Sequence, residues 1–339
     1  MPRLLHVLPR IDRTESVAQS ALVTQAIGSA YDVQTLRFGV DLPWRGGFDL
    51  RGWRQLDEAL RRAKPDVIQA WLSADDWWTL RLLTRLRRAR VIASWREVEP
   101  WPIAALPRFV ARRVHRIVTP TDGLAEAFAA RGIDRSKLTV VPDRIADSNR
   151  EPTSHRLDAS QLIPADAQVI VAVGRWRWSD HWRELMWSAD LLKFLKLPVH
   201  LVMCGYGDDL SRAEKYRGQI EIADRVHLRP IAEAAAWLDR ANCFWSLRDD
   251  PGVSPWLLAA MQRGVPVVAS RTADHRQIIT DGRDGFLIPL GSRADLAKRT
   301  LQMIEDPTIA ARMSAAARET IAARRASQAT LDTYRQLYG

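Results

Sequence analysis

Short apolar runs alternate with longer stretches of helical periodicity through the first 142 residues. Apolar runs at 4–8, 33–38, 67–71, 90–94, 116–119 and 138–142 each read as a buried strand. Between them, apolar positions recur at helical spacing over 17–27, 54–63, 75–88, 103–113 and 121–131, the last closed by Gly132. Residues 43–52 read as a Gly-rich loop. Continuous apolar strands alternating with helices predict a parallel sheet covered on both faces.

The pattern lapses over 147–164, a polar stretch with two prolines that reads as a linker. It restarts with strands at 169–173, 199–203, 225–228, 242–246 and 265–269. Helices are expected at 182–196, up to about 216, and at 231–240. Three more run from Arg293 to the end, the last at about 327–337. The clearest signals surround residues 254–264: Ser254 can N-cap, Pro255 suits the first helical position, and Gly264 can close the helix left-handed. Ahead of that helix, Gly252 permits close approach to the backbone, and free N–H groups there would form an anion site. The bland alternative is an ordinary loop–helix–strand unit.

The pattern predicts an α/β chain with two doubly wound halves. A first domain occupies 1–150, a second 165–310, and C-terminal helices at 311–339 pack back toward the first. Ligands in such sheets bind beyond the carboxyl ends of the strands, so the cleft between two such domains is the expected site.

Composition narrows the function classes. The chain has 339 residues and a net charge of +10. Residues 1–150 hold 25 Lys and Arg against 17 Asp and Glu, whereas 151–339 hold 25 against 23, so the basic excess lies in the first half. That excess suits an anionic membrane surface, phosphorylated ligands or nucleic acid, or is only Arg-rich composition. No run is long and apolar enough for a transmembrane helix, and the apolar segment near Met1 is too short for a signal peptide. Cys204 and Cys243, the two cysteines, sit in apolar runs and read as core residues of a reducing compartment. A cytoplasmic protein is expected. Nucleic-acid binding rests on charge alone, with no accompanying motif.

Chemistry-bearing residues are sparse. No phosphate-binding P-loop occurs, and Leu210 stands where a dinucleotide fingerprint after Gly205 and Gly207 would need its third glycine. A glycine turn that serves packing alone competes with a ligand role there. Arg175 follows Gly174 at a strand end, where a guanidinium could bind phosphate, with Arg177 beside it, or both snorkel into solvent. Asp249 and Asp250 either bind hydroxyls or cap their loop. No catalytic triad or metal-ligand spacing can be assembled from His6, His115, His155, His181, His200, His227 and His275. His200 and His227 read as strand residues, whereas His181 and His275 read as loop residues facing the cleft.

The second half resembles the retaining GT-B glycosyltransferases of family 4 (group 1). The resemblance rests on 169–175 ending in Gly-Arg, on 201–207 ending in Gly-x-Gly, on Ala260-Met261-Gln262-Arg263-Gly264-Val265-Pro266-Val267-Val268-Ala269, and on 281–288. It implies the GT-B fold, two Rossmann-like domains facing a cleft. It implies transfer of a sugar from a nucleotide-sugar donor to a glycan or lipid-linked acceptor, as in polysaccharide biosynthesis. Retention, independence of metal, and no cofactor beyond the nucleotide-sugar co-substrate are implied too. The donor side would comprise Arg175, Arg177, Gly205, Gly207, Asp250, Gly252, Val253 and Ser254. Asp12, Arg13 and Arg96 would line the acceptor side, and Asp250 and Arg96 are the catalytic candidates. The basic first half is compatible with peripheral contact at the inner face of an anionic membrane.

The donor motif is degenerate. The family's two glutamates, eight residues apart, fall at Pro251 and Ala259, its lysine at Asp180, and a later glutamate at Gln277. These losses motivate a competing expectation: a catalytically silent GT-B-fold protein that binds a nucleotide, glycan or protein partner.

Overall fold

The computed structural model describes residues 1–8, 14–38, 40–41, 50–72, 83, 89–96, 111–143, 162–175, 181–193, 198–207, 209–325 and 329–339. The chain divides into two compact units, Met1–Ala146 with Ser327–Gly339, and Asp147–Ala326. Most of the helices expected at 75–88 and 103–113, and most of the linker expected at 147–164, lie outside the described residues.

In the first unit the described elements are β1 (Arg3–Leu8), α1 (Thr14–Ile27), β2 (Asp32–Arg37), α2 (Leu50–Ala63), β3 (Val67–Leu72), β4 (Arg90–Trp95), β5 (Arg116–Thr119), α3 (Asp122–Ala130) and β6 (Leu138–Val140). The strands pair in parallel in the order β2-β1-β3-β4-β5-β6. β1 and β4 are apolar and buried along almost their whole length, as both-face covering requires. Helix α2 begins at Leu50, four residues before its expected start. Leu56 and Leu60 lie in the core, and Gly52 is buried inside the helix rather than in a loop.

The second unit contains β7 (Gln168–Arg175), α4 (Trp182–Asp190), β8 (Val199–Tyr206), α5 (Leu210–Arg217), β9 (Val226–Pro230), α6 (Ala234–Leu238), β10 (Cys243–Ser246), α7 (Pro255–Arg263), β11 (Val267–Ser270), α8 (Ala273–Ile278), β12 (Phe286–Ile288), α9 (Arg293–Glu305) and α10 (Pro307–Arg325). Its sheet, also all parallel, runs β12-β11-β10-β7-β8-β9. Two elements, α8 and β12, were not expected. Each is under two turns or only three residues long, too short for periodicity to register. Helix α4 stops at Asp190 instead of running to 196.

The last helix, α11 (Ala329–Tyr338), belongs to the first unit. Its Tyr334, Leu337 and Tyr338 join Leu4, Leu8, Val67 and Trp71 in one buried cluster. The longer α10 stays with the second unit, where Met313 is part of the main core. Of residues 311–339, the stretch to Arg325 thus packs in one unit and the final helix in the other.

In each sheet the strand order reverses once, between β1 and β3 and between β7 and β10. Crevices at the carboxyl ends of strands flanking such a reversal are the natural ligand positions of doubly wound sheets. Among the described residues, Trp71, Trp95, Trp182, Trp237 and Trp245 are fully buried, which identifies them as packing residues. Cys204 and Cys243 are buried free thiols, and burial pushes both pKa values up to about 12, so neither is a ready nucleophile.

Two stability predictions follow from this packing. A Cβ on Gly285 would meet Val267 Cγ2 at 2.6 Å and Ile279 Cγ2 at 3.0 Å. Gly285→Ala should therefore cost about 1–3 kcal/mol by overpacking, read from urea denaturation. His6 is buried in the first sheet, accepts the Trp71 indole N–H at 3.0 Å, and has its pKa lowered from 6.5 to about 4 by burial. The unfolded chain takes up that proton first, so the His6 contribution is intact above pH 6.5 and is lost as pH falls toward 4. Denaturation midpoints of His6→Gln should fall less steeply than wild type across that window; equal slopes would refute the assignment.

Candidate functional site

Seven of the eight expected donor positions lie around the second unit's reversal point: Arg175, Gly205 and Gly207 at the ends of β7 and β8, and Asp250, Gly252, Val253 and Ser254 in the loop after β10. Strand β7 ends in Gly174-Arg175 beside the end of β8, with Gly174 opposite Gly205 and Arg175 opposite Tyr206. Among the described residues, none beyond its two chain neighbours lies within 4 Å of where a Gly174 Cβ would stand. Gly207 continues the β8 end with φ +139, a conformation that favours glycine. On the other flank, β10 feeds the loop 247–254 and then α7. Ser254 caps α7 by accepting the Trp256 N–H at 3.2 Å, Pro255 opens it, and Gly264 at φ +73 closes it, as the sequence predicts. A Cβ on Gly264 would meet only the flexible end of Arg318, which can move aside, so the left-handed φ is the reason for glycine there.

Loop 247–254 is held by side chains from β11 and α8. The Ser270 hydroxyl donates to the Arg248 carbonyl at 2.8 Å and accepts the Arg248 N–H at 3.0 Å, a two-way tie between the ends of β10 and β11. The Asp274 carboxylate, 2 % exposed, accepts the Gly252 N–H at 2.6 Å, where Gly252 has φ +117. The expectation of open N–H groups from Gly252 onward is therefore corrected. A buried carboxylate needs donors, and Gly252 supplies one. Val253 and Ser254 carry the other two N–H groups of that trio. Asp250 accepts two bonds from Arg248, at 2.9 and 2.7 Å, so it does not stand alone as a hydroxyl acceptor.

His275 is not a loop residue. It lies in α8 and is fully buried. Its Nδ1–H donates to the Ser270 carbonyl at 2.7 Å, and burial lowers its pKa to about 4, so the ring is neutral at pH 7. His200 and His227 stack on adjacent strands with Nδ1 and Nε2 3.0 Å apart, and burial lowers both pKa values. They are strand residues, as expected. Arg177 lies outside the described residues.

In the first unit, Arg96 follows β4 near the end of the sheet. Its guanidinium makes a two-pronged ion pair with Asp143 and lies 4.9 Å over the Trp71 ring. Both side chains are about nine-tenths buried, so the pair is a built part of that strand end. Asp12 and Arg13, the other acceptor-side expectations, lie outside the described residues. Between β3 and β4, the Gln69 amide donates to Ser94 Oγ at 2.7 Å, and the Tyr338 hydroxyl donates to Gln69 at 3.3 Å. Among the described residues, no three His, Cys, Asp or Glu side chains stand close enough to share a metal ion.

Comparison with known proteins places this geometry. Residues 167–306 match the family described as Glycosyl transferases group 1, and residues 19–145 match Glycosyltransferase Family 4. Both halves support a GT-B glycosyltransferase of the group 1/family 4 type. The lipopolysaccharide core biosynthesis glycosyltransferase LpsE of Rhizobium meliloti (strain 1021) is 25% identical over 289 residues, covering 82% of this chain and 76% of that protein. Its counterpart LpsD from the same organism is 23% identical over 294 residues, covering 84% and 78%. Among solved structures, Anabaena Alr3699/HepE in complex with UDP and glucose superposes with a TM-score of 0.76 at 16% identity, covering 99% of each chain. At that identity the superposition speaks for the fold.

The sequence pattern marks the strand ends but not what secures the loop between them. Ser270, Asp274 and Asp143 carry no local mark because each acts through a partner 22 or more residues away, whereas Arg248 pairs with Asp250 only two residues on. One signal was available: Thr272 two residues before Asp274 is a helix-start pattern, and its hydroxyl does accept the His275 N–H at 3.1 Å. Asp274→Ala should leave the Gly252 N–H buried and unpaired and cost about 1–3 kcal/mol. Asp274→Asn, whose amide oxygen can still accept, should recover part of that loss in the same chemical-denaturation measurement.

Proposed function

We propose that the chain transfers a sugar from a nucleotide-sugar donor to a glycan or lipid-linked acceptor, with retention of anomeric configuration and without a metal ion. The observation that carries this reading is the convergence of Gly174-Arg175, Gly205 and the capped start of α7 at the reversal between β7 and β10. When the bond from the anomeric carbon to the diphosphate breaks, negative charge develops on the leaving group. Arg175, extended by Arg177, and the N–H groups of Val253 and Ser254 ahead of α7 would meet that charge. Gly205 and Gly207 would let the nucleotide approach the β8 end without side-chain obstruction.

Asp250 still suits donor hydroxyls. A carboxylate offers about four acceptor positions, and Arg248 takes two of them. On the acceptor side the reading assigns Asp12, Arg13 and Arg96, with Arg96 oriented by Asp143. The names of LpsE and LpsD favour a lipid-linked glycan as acceptor. The basic first half would then favour peripheral contact with an anionic membrane. UDP-glucose is the first donor to try, because the Anabaena protein was solved with UDP and glucose.

A second reading, a catalytically silent glycan- or nucleotide-binding protein, is favoured by one observation. Both catalytic candidates are engaged within the protein, Asp250 with Arg248 and Arg96 with Asp143. UDP-, GDP- and ADP-sugars should be screened for a rise in melting temperature and for hydrolysis or transfer. Arg175→Ala should lower kcat/KM by roughly 10²-fold with the fold retained. Binding of a nucleotide-sugar with no turnover on any acceptor would favour the silent reading. No response to any donor would overturn both nucleotide readings.

A further inference from the structure

His181 is one of two non-glycine residues with positive φ among those described, at φ +51 and ψ +28. It immediately precedes α4 and makes no side-chain capping bond to that helix. A left-handed backbone is costly for a residue with a Cβ, and such conformations persist where the surroundings hold them. Here the strained residue stands where α4 departs from β7, and the residue it meets follows β10. His181 Nε2 lies 3.4 Å from Asp249 Oδ2, so the contact links the elements that follow the two strands flanking the reversal point. Its Nδ1 is 3.8 Å from Glu184, which in turn is 3.5 Å from Arg293.

Two further facts point outward from the protein. His181 Nε2 is shielded from solvent yet has no aligned hydrogen-bond partner among the described residues. Its near neighbour, Asp249, is the most exposed member of the group, with a side chain 46% exposed against 18% for His181. A buried donor lacking a well-aligned acceptor, faced by a movable carboxylate at ion-pair distance, is the arrangement of an anion subsite with a resident stand-in.

We propose that His181 is a phosphate-binding residue of the donor site and that Asp249 occupies, in the empty protein, the place a phosphate oxygen takes in the complex. This deepens the nucleotide-sugar reading and rests on it. The ligand displaces Asp249 toward solvent, and His181 Nε2–H donates to the phosphate instead. No bond is made or broken in the exchange, and the left-handed turn is what carries the imidazole across to the β10 side.

The test uses the full chain and isothermal titration with UDP, GDP and ADP, each alongside its nucleoside. His181→Gly should weaken diphosphate affinity about tenfold and leave nucleoside affinity unchanged. Asp249→Asn should tighten diphosphate affinity several-fold, and that gain should disappear in the double variant, since the two residues act through one contact. His181→Gly should also melt above His181→Ala, because only glycine is relaxed at this φ. A diphosphate-to-nucleoside affinity ratio within twofold of wild type in His181→Gly would overturn the proposal while leaving the donor reading intact. Looser binding in Asp249→Asn, or a higher melting temperature for the alanine than the glycine variant, would overturn it as well. Failure of wild type to bind any of the three diphosphates would remove the donor reading and this inference together.

Discussion

Everything chemical in this protein is pushed to strand ends by one constraint: both sheets are parallel and covered on both faces. A strand so placed must be apolar throughout, and most of β1, β4, β8 and β10 is. Charged groups can then leave the core only where a strand stops. Arg96 does so after β4, Arg175 at the end of β7, and Arg248 to Asp250 after β10. The two topological reversals select which of those ends can form a crevice. Site location is thus a consequence of how the backbone hydrogen bonds are satisfied, before any particular reaction is considered.

Within the second unit, the loop after β10 is clamped by side chains from the elements that follow it in sequence. Ser270 ties it to the neighbouring strand, and Asp274 takes the N–H of a glycine at φ +117. Asp284 plays a similar role further on. It is 1 % exposed, accepts the Thr280 N–H at 2.7 Å, and accepts the Thr320 hydroxyl of α10 at 2.7 Å. Loop geometry here depends on buried carboxylates with satisfied lone pairs, and such carboxylates are separable from those that would touch a substrate.

The fold was legible because strand and helix periods differ sharply and because Ser254, Pro255 and Gly264 each have one dominant local use. The errors were local. Leu50 and Gly52 were read as loop because glycines cluster nearby, but burial of Leu56 and Leu60 extends helix α2 back over them. Helix α8 leaves no mark because six residues do not make a period, so His275 reads as a loop residue facing the cleft, whereas it is a wholly buried helix residue. At the site, residue types were readable but pairings were not. Nothing near Asp250 in sequence says which of its neighbours will occupy it, and nothing near Arg96 points to Asp143, 47 residues away. The left-handed turn at His181 was likewise invisible, since a histidine carries no local mark of positive φ.

Helix α11 has a consequence for the order in which the molecule assembles. The second unit, Asp147–Ala326, is continuous in sequence, whereas the first is completed only by Ser327–Gly339. Tyr334 and Tyr338 are buried against the oldest part of the chain, with Trp71 and Leu4 in the same cluster. During synthesis the second unit has all its residues before the first does. Until Ser327–Gly339 has been made, the first sheet lacks the helix that buries its apolar side chains at the place of those tyrosines. The half that is made first is finished last, and in the interval it is the aggregation-exposed one.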